Sequence, residues 1–148
     1  MKLSYVMDIS SPVEKVWYWL GTPERAMEWQ TNISGAEIIQ QTADMVGTTF
    51  RETIEENGRS LEMHGVVTDY QENRSLAMHL SSKYNVVDVA WSIEEIDGIT
   101  RLTVNSHVRF KSVLRVVGLL MRPLFKERIT AQLREECARL KELCEAGS

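Results

Sequence analysis

The chain predicts an α+β fold: a curved, seven-stranded antiparallel sheet wrapped around a long C-terminal helix, with two short helices after the first strand. Three observations carry this expectation. Residues 2–9 alternate between apolar and polar, and two closely spaced helix-start signals follow them. Residues 35–110 then read as strands separated by short polar turns. From 112 to 145 runs the one long helical pattern, interrupted by Pro123.

Each element has its own local reason. In the first strand Leu3, Tyr5, Met7 and Ile9 share a face, with Lys2, Ser4 and Asp8 in the opposite set. Ser11-Pro12-Val13-Glu14 is a helix start. Ser11 is expected to cap it, Pro12 sits where a missing N–H costs nothing, and Glu14 completes a capping box. Val13, Val16, Trp17 and Leu20 follow at helical spacing; Thr22-Pro23-Glu24 opens a second short helix carrying Ala26 and Trp29. Further strands are expected at 36–42, 46–56, 59–70, 75–82, 85–96 and 100–110. Asn57-Gly58, Gln71-Glu72-Asn73 and Asp97-Gly98 supply turns, and consecutive hairpins of this kind build a meander. Beyond Pro123, the residues Ile129, Leu133, Cys137, Leu140 and Cys144 form a single apolar stripe.

Composition narrows the function classes. The 148 residues fit one domain, 1–148, which buries roughly 70% of its unfolded surface. A net charge of −4 argues against the broad basic face that nucleic acid requires. The opening MKLSYVMDIS has no apolar core of a signal peptide, so a cytoplasmic protein is expected. Cys137 and Cys144 stand two turns apart on one helix, about 10 Å, which predicts free buried thiols. His64, His79 and His107 fall in the polar sets of three strands and have no metal-ligand spacing. No metal, no cofactor and no nucleophilic catalytic residue is expected.

In its order of elements the chain resembles the START/Bet v 1-like (SRPBCC) superfamily, with the helix-grip fold, and especially its bacterial polyketide cyclase/dehydrase-like branch. The likeness rests on Ile9-Ser10-Ser11-Pro12-Val13-Glu14-Lys15-Val16-Trp17, on Trp29 ending the second helix, and on Val46-Gly47-Thr48-Thr49-Phe50. Residues 98–102 (GITRL) and the closing helix extend it over nearly the whole chain. It implies a single ligand-binding domain with a cleft between sheet and C-terminal helix, and implies that Trp29 borders that cleft.

Strand periodicity nominates the rest of the lining: Phe50, Met63, Met78, Leu80, Trp91, Val104 and Phe110. Glu52 lies between Phe50 and Ile54 on the inner face, where a carboxylate costs several kcal/mol unless paired or neutralised. It is read as a polar anchor or acid of raised pKa, as an edge position at a strand bulge, or as a carboxylate paired with an arginine near the cleft mouth. Trp19 falls off its helix stripe, so it is a candidate for a partner surface.

The segment 109–128 is apolar and strongly basic. Arg109, Lys111, Arg115, Arg122, Lys126 and Arg128 against Glu127 alone give it +5, so the remainder of the chain sums to −9. Val113, Val116, Val117 and Leu120 are expected on its inner side, and Leu114, Gly118, Leu119 and Met121 on the other. Three functions follow: carrying a small hydrophobic, lipid- or polyketide-like molecule; cyclase or dehydratase chemistry in the same cleft; peripheral membrane or partner association through 109–128. A homodimer is compatible with all three.

Overall fold

In a computed structural model the described residues are 1–56, 58–111 and 113–146. The elements are β1 (Lys2–Ile9), α1 (Val13–Leu20), α2 (Pro23–Ala26), β2 (Ile33–Gln40), β3 (Thr49–Glu56), β4 (Arg59–Gln71), β5 (Ser75–Ser81), β6 (Asn85–Ile96), β7 (Ile99–Phe110), α3 (Val113–Leu120) and α4 (Arg122–Glu145). All seven strands form one antiparallel sheet in the order β1-β7-β6-β5-β4-β3-β2. The meander β2 to β7 thus runs in sequence order, and β1 joins its far end by pairing Tyr5 with Val104 and Ile9 with Thr100.

Turn chemistry explains the hairpins. Asp97 and Gly98 both have positive φ, 51° and 85°, as a two-residue turn matching strand twist requires. Gly58 has φ 75°, and its expected partner in the β3–β4 turn, Asn57, lies outside the described residues. Two strand starts differ from expectation. Strand β3 begins at Thr49 rather than at 46, because Met45 and Gly47 take φ of 70° and 87° and hold a loop. Strand β2 begins at Ile33, where Asn32 leaves a left-handed conformation.

The expected capping box does not form. Helix α1 starts one residue later, with Pro12 at its N-cap position and no side-chain cap bond. The Ser11 hydroxyl is buried without a partner, while its carbonyl accepts the Thr100 hydroxyl at 2.7 Å.

The grip of the C-terminal helix is uneven along its length. Towards its end Cys137, Leu140 and Cys144 are wholly buried in one core with Ile9, Val16, Trp17, Leu20 and Leu102. There the Glu145 carboxylate accepts Ser10 N–H at 2.8 Å, and Lys15 donates to the Ala146 carbonyl. Pro123 lies in the first turn of α4, so the break falls at Met121 and the proline costs no interior hydrogen bond. The expected start at Ser112, and the side-chain placements expected for Val113 and Leu114, lie outside what is described.

Helix α3 is set differently from expectation, although Leu119 and Met121 are exposed as expected. Gly118 faces the sheet, so close to Phe110 that an added Cβ would lie 2.6 Å from Cδ2 of that ring. Val116, Val117 and Leu120, expected inside, are exposed instead. A helix whose two faces are both apolar is turned by whichever residue permits closest approach, and here that residue is the glycine.

Candidate functional site

Where the first half of α4 crosses the sheet, the two surfaces stand apart and enclose a cavity of about 280 Å³. Ile129, Gln132, Leu133 and Glu136 form its helical wall. Inward residues of six strands form the opposite wall, among them Leu3, Met63, Leu80, Val87, Trp91, Val104 and Ser106. A smaller chamber of about 60 Å³ lies beside it, between α1–α2 and the sheet, and is bordered by Trp29, Thr48, Phe50 and Tyr70. Gln30, Glu52, Met78 and Trp91 border both chambers.

Strand alternation aims Glu52 inward. It pairs across the sheet with Ala36 on one side and Met63 on the other, and Met63 is itself buried. Among the described residues Glu52 has no hydrogen-bond or ion-pair partner. The neighbouring Arg51 points outward to Glu37 and Glu62. Burial, and then the charge of Glu136, push the Glu52 carboxyl up to about 7. Glu136, by contrast, is held in place: its Oε1 accepts from Thr31 N–H at 3.1 Å, from the Thr31 hydroxyl at 2.8 Å and from Gln132 at 3.1 Å. One carboxyl is therefore poised near neutrality inside an apolar hollow, and a second, anchored through one of its oxygens, faces it from the helix.

Gly65 and Phe50 show how the sheet shapes the hollow. They are cross-strand partners, and a Cβ on Gly65 would lie 2.2 Å from Cζ of the Phe50 ring. The tip of the ring occupies the space a side chain at Gly65 would take. Trp29 is completely buried, donates its indole N–H to the Trp19 carbonyl at 2.8 Å, and stands edge-on to Trp91 with ring centroids 5.2 Å apart.

The structure gathers most of the residues nominated from sequence around these two chambers. Glu52, Met63, Met78, Leu80, Trp91 and Val104 border the larger, and Trp29 and Phe50 the smaller. Phe110 borders neither. It closes the end of β7 against Gly118 and against Phe125, with ring centroids 5.6 Å apart, because α3 packs directly onto it. Trp19 is not an exposed partner surface but packs half-buried against the core, and its neighbour Tyr18 is the exposed aromatic. Gln30, Gln132 and Glu136 were not legible as lining. Gln132 and Glu136 lie one position off the apolar stripe of α4, yet both line the cavity. Tyr70 reaches the inner face because a bulge between Val67 and Asp69 shifts the β4 register.

The histidines stay away from the hollow. His79 bonds Asp88 at 2.6 Å, Asp88 also pairs with Arg109, and His64 approaches Glu62.

A curved sheet gripping a helix over an internal hollow is the helix-grip fold of the START/Bet v 1-like superfamily. The model of the family described as polyketide cyclase / dehydrase and lipid transport matches residues 1–145, and the chain belongs to that family. No curated protein matches in sequence. Among solved structures, TTHA0849 from Thermus thermophilus superposes with a TM-score of 0.82 at 13% identity, covering 100% of this chain and 99% of that one. A START superfamily protein from Mycobacterium smegmatis gives 0.81 at 19% identity, with 99% of each chain covered. The Zhui aromatase/cyclase from Streptomyces sp. R1128 gives 0.79 at 12% identity, covering 100% and 98%. These likenesses concern the fold. Family membership supports a ligand-binding or cyclase role in general and singles out no substrate.

Proposed function

We propose that this protein binds and carries a small hydrophobic molecule, lipid- or polyketide-like, in the hollow between the sheet and α4, with Glu52 as its polar anchor. The observation that carries the reading is the unpartnered inward carboxyl of Glu52 in an apolar cavity of about 280 Å³. That volume is near the lower end for small-molecule sites, and the adjoining chamber extends it. A protonated Glu52 donates one hydrogen bond to a carbonyl or hydroxyl, which a buried carboxylate cannot do. Met63 and Met78 supply adaptable walls suited to a flexible apolar chain.

Native mass spectrometry of freshly purified protein, followed by extraction, would identify a co-purifying ligand. The ligand is expected to leave in the Glu52→Leu variant, which has no donor, or to bind about tenfold more weakly, the order of one hydrogen bond to a desolvated group. Unchanged affinity in that variant would remove Glu52 from the site, and a chain that retains no apolar molecule under any condition would remove the site itself.

A second reading is favoured by the same carboxyl. An acid that titrates near 7 is matched to moving one proton at neutral pH, and enclosure of a reactive chain supplies orientation. In a cyclase or dehydratase, Glu52→Gln abolishes turnover of a poly-β-carbonyl chain while leaving binding largely intact. In a carrier it keeps a neutral donor, so binding survives and there is no turnover to lose.

A further inference from the structure

We propose that α3 and the first turn of α4 form a docking surface for an anionic lipid bilayer. Of the twelve large hydrophobic side chains that are exposed among the described residues, six fall within residues 116–124. Leu120 is 76% exposed, Leu119 69% and Val116 62%. They are not loose ends of a core. Gly118 fixes which side of α3 meets the sheet, and Val116 and Leu120, one turn apart, point the opposite way.

The cations around this face define what it meets. Arg109, Arg115 and Arg122 border one surface hollow of about 520 Å³ beside α3, whose remaining lining includes Phe110, Gly118 and Leu119. Arg115, Arg122 and Lys126 have no ion pair among the described residues. Burial, and then the charges of Arg122, Lys2, Arg109 and Lys126, hold the Met1 amine below its ordinary range, so these cations share one corner. An apolar helix face rimmed by cations is built to sink into acyl chains while its arginines reach anionic headgroups. A second copy of this chain fits the face poorly, because apposing it would bring Arg115, Arg122 and Lys126 against their own kind. Val108 borders both this hollow and the internal cavity, so docking sets one end of the cavity against the membrane. The docking itself stands whether or not Glu52 holds a ligand.

Flotation of the full chain with vesicles of phosphatidylcholine, with or without phosphatidylglycerol, tests this. Retention is expected on the anionic vesicles at low salt, with loss at high salt and little on neutral ones. Arg115→Gln with Arg122→Gln should weaken retention on the order of 25-fold, from about 1 kcal/mol per cation. Leu119→Ser with Leu120→Ser should abolish it at every salt concentration, and circular dichroism should confirm that both variants stay folded. Equal retention on neutral vesicles, none on anionic vesicles, or variants that bind as the parent does would each overturn the proposal. So would a dimer in sedimentation equilibrium that Leu119→Ser with Leu120→Ser dissociates, since the face would then be covered by a second copy.

Discussion

Glu52 is the residue at which burial and charge are in open conflict, and pH exposes the conflict. Its ordinary value is 4.5 and its folded value about 7. Below 4.5 folded and unfolded chains both hold the proton, and Glu52 costs nothing. Between 4.5 and about 7 the unfolded chain releases its proton while the folded chain keeps it, so stability falls as pH rises. Above about 7 the loss is complete, on the order of 3 kcal/mol. Glu52→Gln does not titrate. Its stability relative to the parent should therefore rise across that window and level off beyond it, whatever fixed cost the amide carries. Urea unfolding of both proteins at the two ends of the window measures the difference, and parallel profiles would mean that the carboxyl is solvated or paired. The inward placement of Glu52 was legible from Phe50 and Ile54 on either side of it. Its isolation was not, since only the fold shows Arg51 turning away and Glu136 already held by Thr31 and Gln132.

At the scale of elements, α4 does two jobs with one stripe, and substitutions along it should tell them apart. Leu140 is completely buried where the helix meets α1 and β1, and truncating it opens a new void. Leu133 borders a hollow that already exists. Leu140→Ala should cost about 2–5 kcal/mol, whereas Leu133→Ala should fall below that range because it removes fewer contacts. Equal losses in urea unfolding would mean that the hollow is closed around Leu133. Both residues read alike in the sequence, each on the same apolar stripe. The period of a helix tells which residues share a face, and nothing in it tells how far away the opposing surface lies. Helix α3 makes the same point more sharply. Its Val116 and Leu120 satisfied the pattern of an inner face, yet Gly118 decided the matter by allowing contact with Phe110 that no side chain would permit. The hairpins were legible because Asp97-Gly98 and Gly58 state their backbone requirements locally. The Ser11 cap does not form because the helix starts one residue later, with Pro12 at its N-cap, while Thr100 from 89 positions away bonds the Ser11 carbonyl.

For the whole molecule, the hollow is a property of how sheet and helix diverge, so a single bulky residue placed there should fill it without disturbing the grip. The tight end of the molecule is anchored independently, by Leu140, Cys137 and Cys144 against α1 and by the Ser10–Glu145 bond. Leu133→Trp adds volume into existing space from the helical wall. Overpacking costs about 1–3 kcal/mol in a solid core, so a melting temperature close to that of the parent is the signature of a real void. Uptake of a neutral apolar fluorophore such as Nile red should fall at least about tenfold, equivalent to about 1.4 kcal/mol of binding. The exposed face of α3 would bind the dye as well, so the comparison belongs in the Leu119→Ser, Leu120→Ser background, where the two most exposed leucines of that face are removed. Uptake that survives Leu133→Trp there, with stability also unchanged, would place the dye outside the hollow. Strong destabilisation instead would show that the space between sheet and α4 is already filled by the chain's own side chains, and the carrier and the enzyme readings would fall together.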